Sequence, residues 1–186
     1  MRCHSCRRFS LSLICQTCRR LYLRPEPSIR TLPSGLKVIS LFGYDEIEPF
    51  LLTKHHPHGW FIYRILAKEA FAALERAETL YAIAIDDDAS GGYSHTALLA
   101  KALAKRGYRP LLGVMRAQNR ISYSGQSREF RLANPRRFRY RGPEKIDAVL
   151  IDDIVTTGLT LQEAQGELMR HGVNVGWAIV LADVDR

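Results

Sequence analysis

Apolar residues along the chain fall into two rhythms. Short, nearly solid runs at 36–44, 79–85, 111–115, 147–151 and 174–181 have the length of buried strands. Between them, residues 60–77 carry Phe61, Ile65, Leu66, Phe71 and Leu74 at helical spacing, and 93–106 form an amphipathic stretch ending at Gly107. Residues 159–171 form another, ending at Gly172, and 46–54 read as a short helix. Pro57 and Gly59 mark 55–59 as a loop, and 119–126 lacks any period. Apolar strands alternating with helices predict an α/β fold: a mainly parallel, Rossmann-like sheet with helices on both faces. Ligands of such sheets bind beyond the carboxyl ends of the strands, which directs attention to the loops at 86–92, 116–126 and 152–158.

The chain has 186 residues, 46% of them hydrophobic, enough for one sizeable core and a small appendage. Division into a cysteine-rich head (1–23), a linker with Pro25, Pro27, Pro33 and Gly35 (24–35) and a main domain (36–186) is expected. The start has no apolar leader and no run approaches the ~20 apolar residues of a membrane span, so a cytoplasmic protein is expected. A net charge of +8 favours polyanionic partners without specifying one.

All four cysteines lie in the head, as Cys3-x-x-Cys6 and Cys15-x-x-Cys18. Each knuckle sets two thiolates on one side of a tight turn, and two knuckles make the tetrahedral S₄ set that Zn²⁺ favours. Arg7, Arg8, Arg19 and Arg20 would favour the thiolate forms. A head this small builds no core of its own, so metal would supply its folding energy, in a structural role. Redox-active or free cysteines are the competing reading.

The segment from Ala148 to Thr160 places Asp152-Asp153-Ile154-Val155-Thr156-Thr157-Gly158-Leu159-Thr160 after an apolar strand. Adjacent carboxylates can accept hydrogen bonds from vicinal hydroxyls such as those of ribose. The turn into a helix offers backbone N–H groups and a favourable dipole to a phosphate. Gly158 permits close approach, and Thr156, Thr157 and Thr160 add hydroxyls. An ordinary strand-to-helix turn with capping residues explains one Asp or one Thr, but not the whole order.

Two further loops carry weaker signals. Asp86, Asp87, Asp88, Ser90, Gly91 and Gly92 follow the strand at 79–85 and could hold Mg²⁺ or pyrophosphate, or be a solvated acidic turn. Arg116 could neutralise a pyrophosphate, with 117–127 as a covering loop, or be merely exposed. Residues 128–141 interleave arginines, including Arg131, Arg136, Arg137 and Arg139, with Phe130, Phe138 and Tyr140. That pattern suits single-stranded nucleic acid, or equally an edge strand with solvated arginines and core aromatics.

The stretch from Val149 to Thr160 resembles the phosphoribosyl pyrophosphate motif of type I phosphoribosyltransferases. The resemblance implies that Asp152 and Asp153 hold the ribose hydroxyls, that residues from Thr156 to Thr160 hold the 5′-phosphate, and that Mg²⁺ accompanies the ligand. It gives Asp87, Asp88, Ser90, Gly91 and Gly92 the place of a pyrophosphate loop. With the cysteine head, the chain resembles the ComF-type proteins of bacterial DNA uptake, and Lys54 stands near a family lysine. The family's usual Val-Pro-Val-Pro is here Ile83-Ala84-Ile85-Asp86, a departure at the pyrophosphate loop. The resemblance implies binding of phosphoribosyl pyrophosphate and Zn²⁺, and assistance to single-stranded DNA crossing the inner membrane beside channel and helicase partners. A salvage phosphoribosyltransferase acting on a nucleobase, with Asp152, Asp153 and Arg116 as its catalytic residues, and a pure nucleic-acid binding module are the other readings.

Overall fold

A computed structural model describes residues 1–85, 92–119, 121 and 127–186. Its centre is a six-stranded sheet formed by β1 (Ser28–Thr31), β2 (Lys37–Gly43), β3 (Tyr81–Ala84), β4 (Arg109–Leu111), β7 (Asp147–Val155) and β8 (Asn174–Asp183), in the order β1-β2-β8-β7-β3-β4. Only the β1–β2 edge pair is antiparallel; the other four pairings are parallel. Two further strands, β5 (Met115–Ala117) and β6 (Phe138–Tyr140), pair antiparallel apart from the main sheet.

Strand residues alternate between two cores. Val149 and Ile151 pack on one face with α2 (Tyr44–Leu51), α3 (Gly59–Phe71) and α4 (His95–Leu103), through Phe50, Leu66, Leu99 and others. Ala148 and Leu150 pack on the other with α6 (Leu159–Arg170), through Leu161 and Leu168, and with Met115, Phe138 and Tyr140 of the hairpin. A fully buried leucine in either layer contributes ~1.5–3 kcal/mol over an exposed one. The expected fold class therefore holds: a mainly parallel sheet with helices on both faces and a four-cysteine cluster at the N-terminus. Among the described residues, no helix is long and apolar enough to cross a membrane.

The sheet turns in opposite directions from its middle. The chain leaves β3 through α4 to β4 on one side, and leaves β7 through α6 to β8 on the other. In sheets of this kind the ligand crevice lies at the carboxyl ends of the adjacent strands where the winding reverses; that position here falls to β3 and β7.

Four local expectations need correction. The run at 111–115 is two strands, not one: Gly113 takes the left-handed conformation (φ 69°), which turns the chain out of the main sheet so that Met115 begins the separate hairpin. The stretch read as linker supplies β1, because its alternating Ser28-Ile29-Arg30-Thr31 can complete the open edge of β2. The helix expected over 60–77 stops at Phe71, and the Ala77 N–H binds the Arg106 carbonyl at 2.8 Å as the chain swings into β3. Strand β7 runs four residues past Ile151, because Ile154 and Val155 continue the ladder opposite Ala182 and Asp183.

Two short helices carried no readable period. The first, α1 (Gln16–Tyr22), is capped by the Cys15 sulfur, and the other, α5 (Arg128–Ala133), by the Ser127 hydroxyl. Nor does the head stand apart from the main domain: Cys3, Ile14, Cys18 and Leu23 share the core that contains Phe50 and Leu66.

Candidate functional site

Extension of β7 changes what the acidic pair can do. Neighbouring residues of a strand point to opposite faces, so Asp152 and Asp153 diverge. Asp153, only 5% exposed, turns toward α3 and α4. Its Oδ2 accepts hydrogen bonds from Lys54 Nζ at 2.9 Å and from the Tyr63 hydroxyl at 3.1 Å, and lies 3.5 Å from His95 Nε2. Burial alone would push its carboxyl up, but Lys54, then His95, with hydrogen bonds from Lys54 and Tyr63, outweigh burial and hold it well below the usual range. Lys54 is raised in turn, first by the Asp153 charge and against its own burial. Asp153 is thus a buried anion satisfied from within the protein.

Asp152 is the half-buried member. Its Oδ1 accepts the Asp153 N–H at 2.8 Å, and no protein donor reaches Oδ2 among the described residues. Burial, then the negative charge of Asp153, push its carboxyl well above the usual range. Asp153 is an internal anchor, and Asp152 is its half-buried neighbour on the opposite face of the strand.

Beyond Val155 the chain turns through Thr156, Thr157 and Gly158 into α6. Gly158 caps that helix at φ 73°, with Leu32 covering the position a side chain would take. A Cβ added at Gly158 would lie 2.6 Å from Leu32 Cδ1. The leucine can yield; the left-handed backbone cannot. Gly158→Ala should therefore cost ~1–2 kcal/mol, read as a lower urea midpoint with an unchanged slope.

The loop carries two arginines from distant segments. Arg131 Nη1, on α5, donates to the Thr156 hydroxyl at 2.6 Å. Arg30, on β1, donates to the Thr156 carbonyl and forms ion pairs with Asp183 at 2.9 Å and Asp185 at 2.6 Å. Thr157 and Thr160 are half-exposed at the start of α6, where the first-turn N–H groups have no helical acceptor. The result is a half-buried carboxylate, three threonine hydroxyls, first-turn backbone donors and a guanidinium at one strand-to-helix turn.

Other residues singled out in the sequence fare differently. Asp86, Asp87, Asp88, Ser90 and Gly91 lie outside the described residues, as does most of 117–127; Gly92 is described, exposed, at φ 102°. Arg116 is not at the end of a main-sheet strand. It sits within β5, paired in register with Arg139, and no contact with the Thr156–Gly158 turn is seen among the described residues. Of the basic–aromatic segment, Phe138 (6% exposed) and Tyr140 (3%) belong to the core, as in the edge-strand reading, whereas Phe130 on α5 is half-buried. Its backbone is fastened to α6, with the N–H groups of Arg136, Arg137 and Tyr140 donating to Glu163 and Glu167.

The sequence also left unremarked several members of the site. Tyr63 was hidden among helix-face apolar residues, and the turn into α4 that carries His95 was given no side-chain role. The Tyr93 hydroxyl is buried without a hydrogen-bond partner among the described residues, and burial, then the nearby Asp153 charge, raise its pKa. An aromatic hydroxyl on an otherwise apolar helix face is the one signal that could have marked Tyr63.

At the other end of the chain, the four cysteine sulfurs lie within 4.8 Å of one another. A tetrahedral zinc with bonds of ~2.3 Å has S–S edges of ~3.8 Å; Cys6 and Cys15 are 3.7 Å apart. The Cys15 N–H donates to Cys3 Sγ at 3.3 Å and the Cys18 N–H to Cys15 Sγ at 3.4 Å, as suits thiolates. The donor set fits zinc. Burial pushes the Cys18 thiol up to about 12, whereas at Cys3 hydrogen bonds from the backbone of Cys15, Cys6 and Ser5 overcome burial and bring it down to about 6. Of the head's arginines, Arg19 is engaged by the Ile14 carbonyl, Ser12 and Glu69.

No protein-family model matches the sequence, and no curated protein does. Among solved structures, the chain is similar to Leishmania donovani UMP synthase (TM-score 0.42, 19% identity), over 72% of this chain and 24% of that one. It is similar to a hypoxanthine phosphoribosyltransferase from Staphylococcus aureus (0.40, 19%), over 65% of this chain and 62% of that one. It is also similar to the orotate phosphoribosyltransferase of Aeropyrum pernix (0.42, 17%), over 90% and 80% of the two chains. The chain thus spans about a quarter of the first protein's length and about three fifths of the second's. These likenesses are loose, and the site stands on its own geometry.

Proposed function

We propose that the protein binds phosphoribosyl pyrophosphate with Mg²⁺ in the crevice at the carboxyl ends of β3 and β7. The single observation that carries this reading is the juxtaposition of Asp152 with the Thr156–Thr157–Gly158 turn, the start of α6 and Arg131. Asp152 accepts hydrogen bonds from the ribose diol. Thr156, Thr157, Thr160 and the first N–H groups of α6 hold the 5′-phosphate, and Arg131 supplies its counter-charge. Asp153 holds Lys54, Tyr63 and His95 in place and is a positioning residue. Zn²⁺ is held by Cys3, Cys6, Cys15 and Cys18 in a structural role. Mg²⁺ comes with the pyrophosphate of the ligand.

The four-cysteine head joined to such a site extends the reading to a ComF-type competence protein. In that role it assists single-stranded DNA across the inner membrane from the cytoplasmic side, beside channel and helicase partners. What supports this extension is the cysteine array together with the phosphate loop.

Calorimetry with phosphoribosyl pyrophosphate and Mg²⁺ tests the ligand. Each charge-assisted hydrogen bond contributes ~1.5–3 kcal/mol, so Asp152→Asn and Arg131→Ala should each weaken binding about tenfold or more. The diol needs Asp152 ionised, and the Asp152 pKa lies above the ordinary 3.8. Affinity should then fall as the pH drops toward that raised value, before ordinary carboxylates titrate. No heat with the unaltered protein, or equal heat with both variants, rejects the site. Pyrophosphate release with one nucleobase would make the protein a salvage enzyme instead. Undiminished transformation of cells carrying Asp152→Asn would separate the ligand from DNA uptake.

A further inference from the structure

Helices α3 and α4 lie side by side on one face of the sheet, and a trough of about 880 Å³ runs between them. Its floor is apolar, with Ala67, Phe71, Leu98 and Leu112. Its walls are cationic. Arg64 and Lys68 stand four residues apart on α3, and Lys101 and Lys105 four residues apart along α4 and the turn that continues it. All four are exposed. Arg106 closes one end, donating to the Ala72 carbonyl at 2.6 Å. No carboxylate lines the trough among the described residues.

We infer that this trough is a docking site for an acidic amphipathic helix of a partner protein. Residues four apart on a helix stand ~6 Å apart along its axis, so each wall offers two cations at one helical turn's spacing. A helix laid lengthwise between α3 and α4 meets that spacing with Asp or Glu at i and i+4 on both flanks of an apolar stripe. Small floor residues such as Ala67 admit its backbone closely, and the stripe covers the aliphatic floor. The charge pattern also decides between partners. A second copy of this chain carries the same net charge of +8 and is disfavoured. Single-stranded nucleic acid needs open ring faces for its bases. Here the Arg64 guanidinium covers the Trp60 ring at 4.5 Å, and Phe71 is buried.

Selection from a displayed library of helical peptides, with apolar core positions fixed and flanking positions randomised, tests the inference on the full zinc-loaded chain. The enriched sequences should carry Asp or Glu at i and i+4 flanking positions. A labelled peptide from that pool should bind at least tenfold more weakly to R64E/K68E and to K101E/K105E, with circular dichroism and melting unchanged. A sequence-scrambled peptide of the same composition should not bind. Enrichment without acidic flanks, no enrichment, equal binding of the scrambled peptide, or unchanged affinity in both variants overturns the inference. So does displacement of the peptide by a short oligothymidylate, which would give the trough to nucleic acid.

Discussion

Cys18→Ser should remove the bound metal altogether: mass spectrometry of the unaltered protein should find one zinc per chain, and of the variant none. Structural zinc contributes ~10 kcal/mol or more to isolated finger folding, and here the cysteine cluster is also a piece of the main core. Cys3, Ile14, Cys18 and Leu23 pack into the same cluster as Phe50 and Leu66. Loss of metal therefore reaches past the head. Protease should cut within residues 1–23, and the melting temperature of the whole chain should fall. Removal of zinc by a chelator should give the same result. The sign of the pH dependence follows from the thiols. Metal binds thiolates, and without metal the Cys3 thiol lies at about 6 and the Cys18 thiol at about 12. Binding therefore expels protons across that range, and apparent zinc affinity rises with pH. A variant that keeps its zinc, or a chain that melts unchanged without it, would show the cluster to be no metal centre.

Lys54→Met should cost ~3 kcal/mol of stability at neutral pH. It strips the principal cation from Asp153, whose side chain is 6% exposed, against 25% for Lys54. Tyr63 and His95 remain, which keeps the cost at the low end of the range for a broken buried pair. In the unaltered protein the depressed Asp153 contributes stability that is present above the ordinary 3.8 and lost as pH falls through its folded-state value. The raised Lys54 contributes stability that is present below the ordinary 10.5 and lost as pH rises through its own. In the variant, burial dominates at Asp153, so acidification relieves it. The difference between the two proteins should thus be widest near neutrality and shrink toward both extremes, as urea melts at pH 4, 7 and 11 would read. Adding Asp153→Leu should restore most of the loss, because a buried pair replaced by apolar residues leaves no orphaned charge. A loss under about 1 kcal/mol for Lys54→Met at pH 7 would mean that Asp153 does not depend on Lys54.

The sequence by itself determined whatever depends on period, spacing and residue chemistry. The alternation of apolar strands and amphipathic helices set the parallel sheet and its two covered faces, since each rhythm permits one element type. Spacing alone brought four sulfurs together, because each knuckle is a local turn. The order of carboxylates, threonines and glycine marked the strand-to-helix turn, where the structure sets Gly158 in the left-handed conformation that glycine takes readily. Tertiary structure decided the rest, through contacts between residues far apart in the chain. Only pairing with β8 extends β7 through the acidic pair, which sets Asp152 and Asp153 on opposite faces and buries Asp153 against Lys54, 99 positions away. Only the docking of the hairpin on α6 hides Phe138 and Tyr140, and only the neighbouring position of α5 brings Arg131 to Thr156. The same basic segment, open in one dimension to a nucleic-acid surface or an edge strand, in three dimensions places Phe138 and Tyr140 in the core and Arg131 against Thr156.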